Sequence, residues 1–177
     1  FAAGCFWGVE DYFRKMDGVI STEVGYAGGA DKKPTYDAVS AGKTGHAESV
    51  RIVFDPKKIS YEKILTQFFK MHDPTTLNRQ GNDEGTQYRS AIFATTKEQK
   101  EIAKKLMERI EKSKAWEKPL STALNDEAPF YKAEEYHQKY AEKNPEHYAS
   151  YRKGSVREDF VNRTCAILEE KHTNWKD

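Results

Sequence analysis

The sequence Gly4-Cys5-Phe6-Trp7-Gly8 places a cysteine and two large aromatic residues between glycines. The three apolar residues before it are typical of the end of a β-strand. After it, apolar residues recur at the spacing of one helix face, at Phe6, Val9, Phe13 and Met16. The sequence therefore predicts a tight strand-to-helix turn, with Cys5 at the amino end of the helix.

A cysteine at that position is a candidate nucleophile. Unpaired backbone N–H groups and the helix dipole at a helix start favour a thiolate. Aromatic rings beside the thiol suggest chemistry on a small, apolar and electrophilic group. The alternative is that Cys5 is a small buried hydrophobic residue without reactivity. The flanking glycines and the helix start favour the reactive interpretation.

The rest of the chain predicts an α+β fold. Periodicity two indicates strands over residues 19–26, 48–54 and 89–95, and periodicity 3.6 indicates helices over residues 60–71, 97–110 and 133–142. The order strand, helix, strand, strand, helix, strand is that of a ferredoxin-like two-layer sandwich with a split β-α-β core. Long loops and an extended carboxyl-terminal tail from about residue 145 complete a single catalytic domain over residues 1–177.

Composition excludes several classes of function. The 29 basic and 28 acidic residues leave a net charge of +1, which argues against binding to nucleic acid or to an anionic membrane. With a mean hydropathy of −0.89, the chain contains no apolar run of membrane-spanning length. The two cysteines do not make a disulfide framework, and no zinc-binding motif is present. Few cysteines and no visible signal peptide predict a cytoplasmic protein.

Glu48 is the second candidate for catalysis. The alternation of its strand places it on the same face as Val50, Ile52 and Phe54, toward the apolar interior. A buried carboxyl tends to stay protonated and can then donate a proton at neutral pH. A strand boundary shifted by one residue would instead leave Glu48 in solvent.

Two long connections, residues 28–47 and 73–87, exceed the usual length of a structureless loop and are expected to border a site. Tyr36 lies in the first and Tyr88 directly follows the second, and each offers an O–H donor beside an apolar ring. The alternative for both tyrosines is simple packing.

Five motifs, in order from residue 1 to about residue 145, give the chain a specific resemblance to a known family. They are Gly4-Cys5-Phe6-Trp7-Gly8, Gly25-Tyr26-Ala27-Gly28-Gly29, Gly45-His46-Ala47-Glu48, Asp73-Pro74-Thr75 and Gly81-Asn82-Asp83-Glu84-Gly85-Thr86-Gln87-Tyr88-Arg89-Ser90. With these motifs the chain resembles the peptide methionine sulfoxide reductase A family. The resemblance implies an enzyme that reduces methionine-S-sulfoxide, free or in proteins, to methionine.

The resemblance also implies roles for individual residues. Cys5 would attack the sulfoxide sulfur and become a sulfenic acid, while Glu48 would protonate the oxygen with help from the hydroxyls of Tyr36 and Tyr88. The other positions that match the family's site are Phe6 and Trp7 around the substrate methyl group, Asp83 as a polar site residue, and His137 near the substrate backbone.

The implied enzyme needs no metal or organic cofactor, only a thiol reductant, for which thioredoxin is expected. Its implied partners are oxidised proteins or free methionine sulfoxide, together with thioredoxin. We expect a monomer.

The carboxyl end departs from the family pattern. Many members carry a recycling cysteine directly after an Asn-Pro-x-x-Tyr segment, but here Tyr148 is followed by Ala149. The remaining thiol is Cys165, for which we predict a disulfide with Cys5 that thioredoxin reduces. Alternatively Cys165 is an inert helix residue, and a small thiol or thioredoxin reduces the sulfenic acid directly.

Two other functions are compatible with a cysteine between aromatic residues. One is a hydrolase that uses Cys5 with a histidine base. The other is a module that binds a thioether or sulfoxide between Phe6 and Trp7 without turnover.

Overall fold

The computed structural model describes residues 1–155 and 161–162, and both strands and helices occur along them. Within these residues the strands are β1 (Ala2–Ala3), β2 (Val19–Ala27), β3 (Ala47–Phe54), β4 (Arg79–Gln80), β5 (Asp83–Glu84), β6 (Ser90–Ala94), β7 (Ala123–Asp126) and β8 (Phe130–Lys132). The helices are α1 (Phe6–Phe13), α2 (Tyr36–Ser40), α3 (Tyr61–Lys70), α4 (Lys97–Ser113), α5 (Tyr140–Lys143) and α6 (Pro145–Gly154). The mixed α+β class predicted from the sequence is confirmed.

Two three-stranded sheets lie side by side, with strand orders β1-β6-β7 and β3-β2-β8. Only β6 and β7 pair in parallel, and the other pairs within these sheets are antiparallel. Phe1 and Val50 exchange two backbone hydrogen bonds, of 2.9 and 2.8 Å, between the sheets. As a result, the short strand β1 lies between β6 and β3, and the turn that follows β1 is next to the start of β3.

Helix α3 forms where the sequence predicts it. The Ser60 hydroxyl caps it by accepting a hydrogen bond from the Lys63 N–H at 3.1 Å. Its apolar stripe is fully buried in the main core, at Ile64, Leu65, Phe68 and Phe69. Burial of each such side chain stabilises the folded state by about 1.5–3 kcal/mol. The Phe68 ring also stacks on the ring of Phe1, with centroids 5.0 Å apart.

The turn before α1 depends on a glycine. Gly4 has φ = 83°, in the left-handed region that glycine adopts at little cost. The next residue, Cys5, has φ = −51° and ψ = 122° and is the N-cap of α1. The predicted strand-to-helix turn is therefore confirmed, and it fixes the thiol at the amino end of an eight-residue helix.

Both long connections contain short ordered elements. The first includes α2, and His46 ties its two ends together: His46 Nδ1 accepts from the Gly29 N–H at 3.0 Å, so Nε2 donates to the Asp31 carbonyl at 2.7 Å. The second includes the β4–β5 hairpin and a 3-10 turn at Thr86–Tyr88. These elements give Tyr36 and Tyr88 defined positions.

The structure differs from the prediction after residue 133. Instead of one helix over residues 133–142 there is a 3-10 turn at Glu135–His137, followed by the short α5. Gln138 interrupts the helix because its side-chain amide bonds both backbone groups of Val24, each at 2.9 Å. Lys139 then takes a left-handed conformation with φ = 52°.

The carboxyl-terminal tail also differs, because it begins with a helix rather than extended chain. Pro145 is at the first position of α6. Proline fits there because its φ is helical and its missing N–H has no partner in the first turn. Cys165 lies outside the described residues.

None of the helices in the described part of the chain has the length and apolar character that a bilayer span requires. The longest, α4, has 17 residues and exposes a strongly charged face.

Candidate active site

Cys5 and Glu48 lie beside each other at the amino end of α1. The thiol is 7% exposed and the carboxyl is 2% exposed. The Phe6 N–H, which has no helical partner in the first turn, donates to Glu48 Oε2 at 2.9 Å. The helix start therefore holds the carboxyl of β3 in a fixed position next to the nucleophile candidate.

Glu48 keeps its proton at neutral pH. Burial, with a smaller contribution from the charge of Asp83, raises the pKa of its carboxyl to about 8, although the hydrogen bond from the Phe6 N–H acts in the opposite direction. The predicted interior face of β3 is thus confirmed, and the alternative of a solvated Glu48 is wrong. Because Oε2 accepts from Phe6, the proton on the other oxygen is available for donation.

Cys5 is a thiol in the resting protein, contrary to our expectation of a thiolate. Burial is the main cause, since it raises the pKa of the thiol well above its ordinary range, and a charged Glu48 would raise it further. The Trp7 N–H and the Tyr151 side chain act in the opposite direction. The helix start that suggested a thiolate supplies too little stabilisation to overcome desolvation.

Tyr36 and Tyr88 are both partly buried, and both respond electrostatically to Glu48 and Cys5. Burial raises the pKa of both phenols, to about 12 for Tyr36, and the charges of Glu48 and Cys5 add to the effect. Both phenols are protonated at neutral pH and act as O–H donors.

Trp7 is partly buried and packs against aromatic residues of the carboxyl-terminal part of the chain. One face stacks on Tyr140 with centroids 3.9 Å apart, and the indole N–H donates to His137 Nδ1 at 3.0 Å. Phe6 is only 1% exposed, and its ring packs 5.1 Å from the His137 ring. Sequence analysis predicted that both residues surround the substrate methyl group. Trp7 is the more accessible of the two, while Phe6 is part of the buried core.

His137 presents a hydrogen-bond donor without a partner. Since Trp7 Nε1 can only donate, His137 Nδ1 accepts and the neutral ring carries its proton on Nε2. Burial lowers the pKa of His137, although the charge of Glu134 counteracts this. Nε2 is buried and has no hydrogen-bond partner among the described residues, so this N–H is available to a ligand.

Tyr151 is a site residue that the sequence analysis missed. It lies on α6, its hydroxyl donates to Asp83 Oδ2 at 2.5 Å, and its side chain lowers the pKa of the Cys5 thiol. Its ring meets the Trp7 ring edge-on, with centroids 5.7 Å apart. The sequence does contain a signal for this residue, because a helix that begins at Pro145 puts Tyr148 and Tyr151 on one face.

Glu134 was also missed, and it positions Tyr36. Its two oxygens accept from the Tyr26 hydroxyl at 2.6 Å and from the Tyr36 N–H at 2.8 Å. The second bond fixes the start of α2 relative to β2. No local motif indicates this role, because the three residues are far apart in the sequence.

The arrangement gives no support to a cysteine hydrolase. The groups that lower the pKa of the Cys5 thiol are the Tyr151 side chain and the backbone N–H of Trp7, and neither is a histidine. His137 Nδ1, the nitrogen that could act as a base, already accepts from Trp7. In residues 1–155 and 161–162, no group of three or more His, Cys, Asp or Glu side chains could hold a metal ion.

The raised pKa of Cys5 predicts slow alkylation at neutral pH. We expect the rate of modification by iodoacetamide to keep rising above pH about 8.5, where an ordinary thiol levels off. In Glu48→Gln the curve should shift to lower pH, because the carboxylate charge is gone. Peptide mapping by mass spectrometry measures the alkylation of Cys5 separately from that of Cys165. The rate for a small free thiol, measured at each pH, serves as the reference. A rate that levels off below pH 7 would contradict a resting thiol.

Comparison with known proteins identifies, over most of the chain, the same family that the sequence motifs resemble. A family model described as peptide methionine sulfoxide reductase matches residues 1–168. The chain is 54% identical over 145 residues to the peptide methionine sulfoxide reductase MsrA of Methanothermobacter thermautotrophicus. That alignment covers 82% of this chain and 86% of the relative.

Solved structures agree with the sequence comparison. The fold is similar to that of Mxr1 from Saccharomyces cerevisiae in reduced form, with a TM-score of 0.74 and 41% identity over 82% of this chain and 83% of the other. Mxr1 in complex with Trx2 matches with a TM-score of 0.53 and 32% identity, over 79% and 81% of the two chains. Together with the cysteine, glutamate and aromatic residues of the site, these matches show that the chain belongs to the peptide methionine sulfoxide reductase A family of enzymes.

Proposed function

We propose that this protein reduces methionine-S-sulfoxide, free or within proteins, to methionine, with Cys5 as the nucleophile and Glu48 as the proton donor. The observation that carries the proposal is the buried, protonated Glu48, which the Phe6 N–H holds beside the thiol. Sulfoxide reduction needs both groups, because the oxygen leaves sulfur only after it receives a proton.

The proposed reaction transfers one oxygen atom and two electrons. Cys5 loses its proton and its sulfur attacks the sulfoxide sulfur, while Glu48 protonates the oxygen. The sulfur–oxygen bond of the substrate breaks, methionine leaves, and Cys5 ends as a sulfenic acid. The substrate sulfur gains the two electrons that the cysteine sulfur loses.

The surrounding phenols support the same step. Tyr36 and Tyr88 are protonated at neutral pH, and both lie in electrostatic contact with Glu48 and Cys5. Donation from two O–H groups would stabilise the negative charge that develops on the oxygen as the Cys5 sulfur approaches. Fixed donors in a buried site are effective because they need no reorganisation.

We propose that Phe6 and Trp7 receive the methyl group and His137 binds the substrate backbone. The partly exposed Trp7 ring next to the thiol supports the first role, with Phe6 behind it. The unpartnered Nε2–H of His137 supports the second, because a buried donor gains from a carbonyl acceptor. Asp83 would act as a polar site residue through its contact with Tyr151.

We propose that thioredoxin supplies the electrons for the next cycle, through a disulfide between Cys5 and Cys165. The similarity to Mxr1, which has been solved in complex with Trx2, supports a thioredoxin partner. Reduction of a disulfide by thiolate exchange would then regenerate Cys5. The pairing with Cys165 rests on its being the second thiol of the sequence.

We also propose a ferredoxin-like split β-α-β core for the fold. Its support is the strand arrangement, in which β1 lies between β6 and β3, and β2 follows β3. Strands β7 and β8 then extend the two outer edges.

Replacement of Cys5 by serine should abolish reduction while leaving the fold intact, because a hydroxyl is not a soft nucleophile at neutral pH. The measurement is methionine formed from each sulfoxide epimer, with circular dichroism as the check on folding. The wild type should consume the S epimer and not the R epimer. A serine variant of comparable rate would refute the assignment of Cys5.

Replacement of Glu48 by glutamine should slow the reaction about 10²-fold or more, the usual scale for a general acid. Substrate affinity should change less, because the amide remains a hydrogen-bond donor. The wild-type rate should fall as pH rises through about 8, where Glu48 loses its proton, and the variant should lack this decline. Glu23→Gln is the control, because this glutamate is also on a strand, β2, but pairs with the surface cations Arg51 and Lys132. A near-normal rate in Glu48→Gln would show that the carboxyl is structural.

Replacement of Cys165 by serine should stop the enzyme after one turnover. The first methionine should form at the normal rate, and dimedone should then label a sulfenic acid on Cys5. The wild type should lose two thiols for each methionine and form the Cys5–Cys165 disulfide. Sulfenic acid without a disulfide in the oxidised wild type would show that Cys165 does not recycle the enzyme.

A further inference from the structure

Gln87 is a buried residue that the proposed reaction does not use. It is 6% exposed, and its side-chain amide donates from Nε2 to the Ser40 carbonyl at 2.9 Å. Ser40 is the last residue of α2, and Gln87 directly precedes Tyr88 in the 3-10 turn of the second long connection. One side chain therefore joins the helix that begins at Tyr36 to the turn that contains Tyr88.

Helix α2 has five residues, and a helix of this length is not stable on its own. Its first backbone N–H, that of Tyr36, donates to a Glu134 side-chain oxygen at 2.8 Å. Its last carbonyl, that of Ser40, belongs to the group of helix-end carbonyls that lack a partner within the helix and accepts from Gln87 instead. Contacts from two other parts of the chain thus hold α2 at both ends.

The turn around Gln87 accommodates the amide in one orientation. Because a carbonyl can only accept, Nε2 faces Ser40, and Oε1 has no hydrogen-bond partner among the described residues. A Cβ at Gly85 would lie 2.3 Å from Oε1, and Gly85 has φ = 143°, a conformation that glycine adopts readily. The glycine of this motif therefore leaves the space that the Gln87 amide occupies.

The position of α2 matters because Tyr36 contacts the site. Its ring packs against the His137 ring with centroids 4.4 Å apart, and His137 accepts the hydrogen bond of the Trp7 indole. A phenol stabilises charge on a reacting oxygen effectively only if its O–H is fixed in advance. Since Tyr36 and Tyr88 belong to separate connections, their relative position depends on contacts between those connections.

We propose that Gln87 is a positioning residue for sulfoxide reduction, which keeps the phenols of Tyr36 and Tyr88 at a fixed separation by joining α2 to the turn before Tyr88. Gln87 itself takes no part in proton transfer. Without its N–H, the Ser40 carbonyl loses this contact and α2 moves more freely relative to the turn. The two hydroxyls then meet the sulfoxide oxygen in less well-defined positions, and the reaction slows.

The proposal rests on the proposed reduction of methionine sulfoxide, so the test measures the first turnover, which needs no recycling. The test variant is Gln87→Met, which keeps the length of the side chain and removes its N–H. Gln99→Met is the matched control, because the Gln99 side chain also bonds a backbone group, the Thr95 N–H at 3.0 Å, but does so at the start of α4. Circular dichroism and thermal unfolding check that both variants fold.

Gln87→Met should lower the rate constant at saturating substrate roughly 10-fold, within the loss of about 10²-fold that a displacement of about 1 Å can cause. The half-saturating concentration should change less, because Gln87 is not among the residues proposed to bind the substrate. In a protein that carries both Tyr36→Phe and Tyr88→Phe, adding Gln87→Met should cause no further loss, since no hydroxyl remains to be positioned. Gln99→Met should react like the wild type.

A second measurement follows the phenols directly. In protein labelled with 3-fluorotyrosine, the fluorine NMR signals of Tyr36 and Tyr88 are identified by their loss in the corresponding phenylalanine variants. Both signals should shift or broaden in Gln87→Met and stay unchanged in Gln99→Met.

Several results would overturn the positioning role. An unchanged rate in folded Gln87→Met would show that the contact is not needed, and unmoved fluorine signals would show that the phenols are held without it. An equal loss in the protein that lacks both hydroxyls would show that Gln87 acts on another part of the site. If Gln87→Met does not fold, Gln87→Glu replaces it, because a carboxylate also lacks the N–H. A wild type that forms no methionine would refute the proposed function itself, whereas an active wild type with an equally active Gln87→Met refutes the positioning role alone.

Discussion

The hydrogen bond from the Phe6 N–H to Glu48 is the interaction on which the rest of the site depends. It joins the first turn of α1 to the start of β3, so the proposed nucleophile and the proposed acid are positioned by one contact. An unpaired N–H at a helix start and a carboxyl in an apolar interior are each unfavourable alone. Their pairing satisfies both, and it leaves the second carboxyl oxygen free to carry a proton.

Burial then sets the protonation state of the whole site. It keeps the proton on Glu48 at neutral pH and keeps Cys5 as a thiol. A neutral Glu48 adds no negative charge beside Cys5, so the acid does not oppose the formation of a thiolate. Both Cys5 and Glu48 are consequently uncharged in the resting site, and the proposed reaction requires one proton to leave Cys5 while another leaves Glu48.

Local sequence patterns predicted the parts of the structure that local forces determine. The turn at Cys5 depends on a glycine and a helix start, and the inward direction of Glu48 depends on strand alternation. The break at Gln138 could not be predicted in this way, because the competing partner is the backbone of Val24, more than a hundred residues earlier. Tyr151 was missed for the same reason, since its partners lie on α1 and β5. The ionisation of Cys5 was predicted wrongly because a helix start is visible in the sequence, whereas burial depends on the packed fold.

The central claim is that burial keeps Glu48 protonated at neutral pH, and a carboxyl titration tests it most directly. Protein labelled with ¹³C at the glutamate side-chain carboxyls, compared with Glu48→Gln, identifies the Glu48 signal in the NMR spectrum. We expect that signal to titrate near pH 8, well above an ordinary glutamate at about 4.3. A Glu48 signal that titrates below pH 5 would contradict the account.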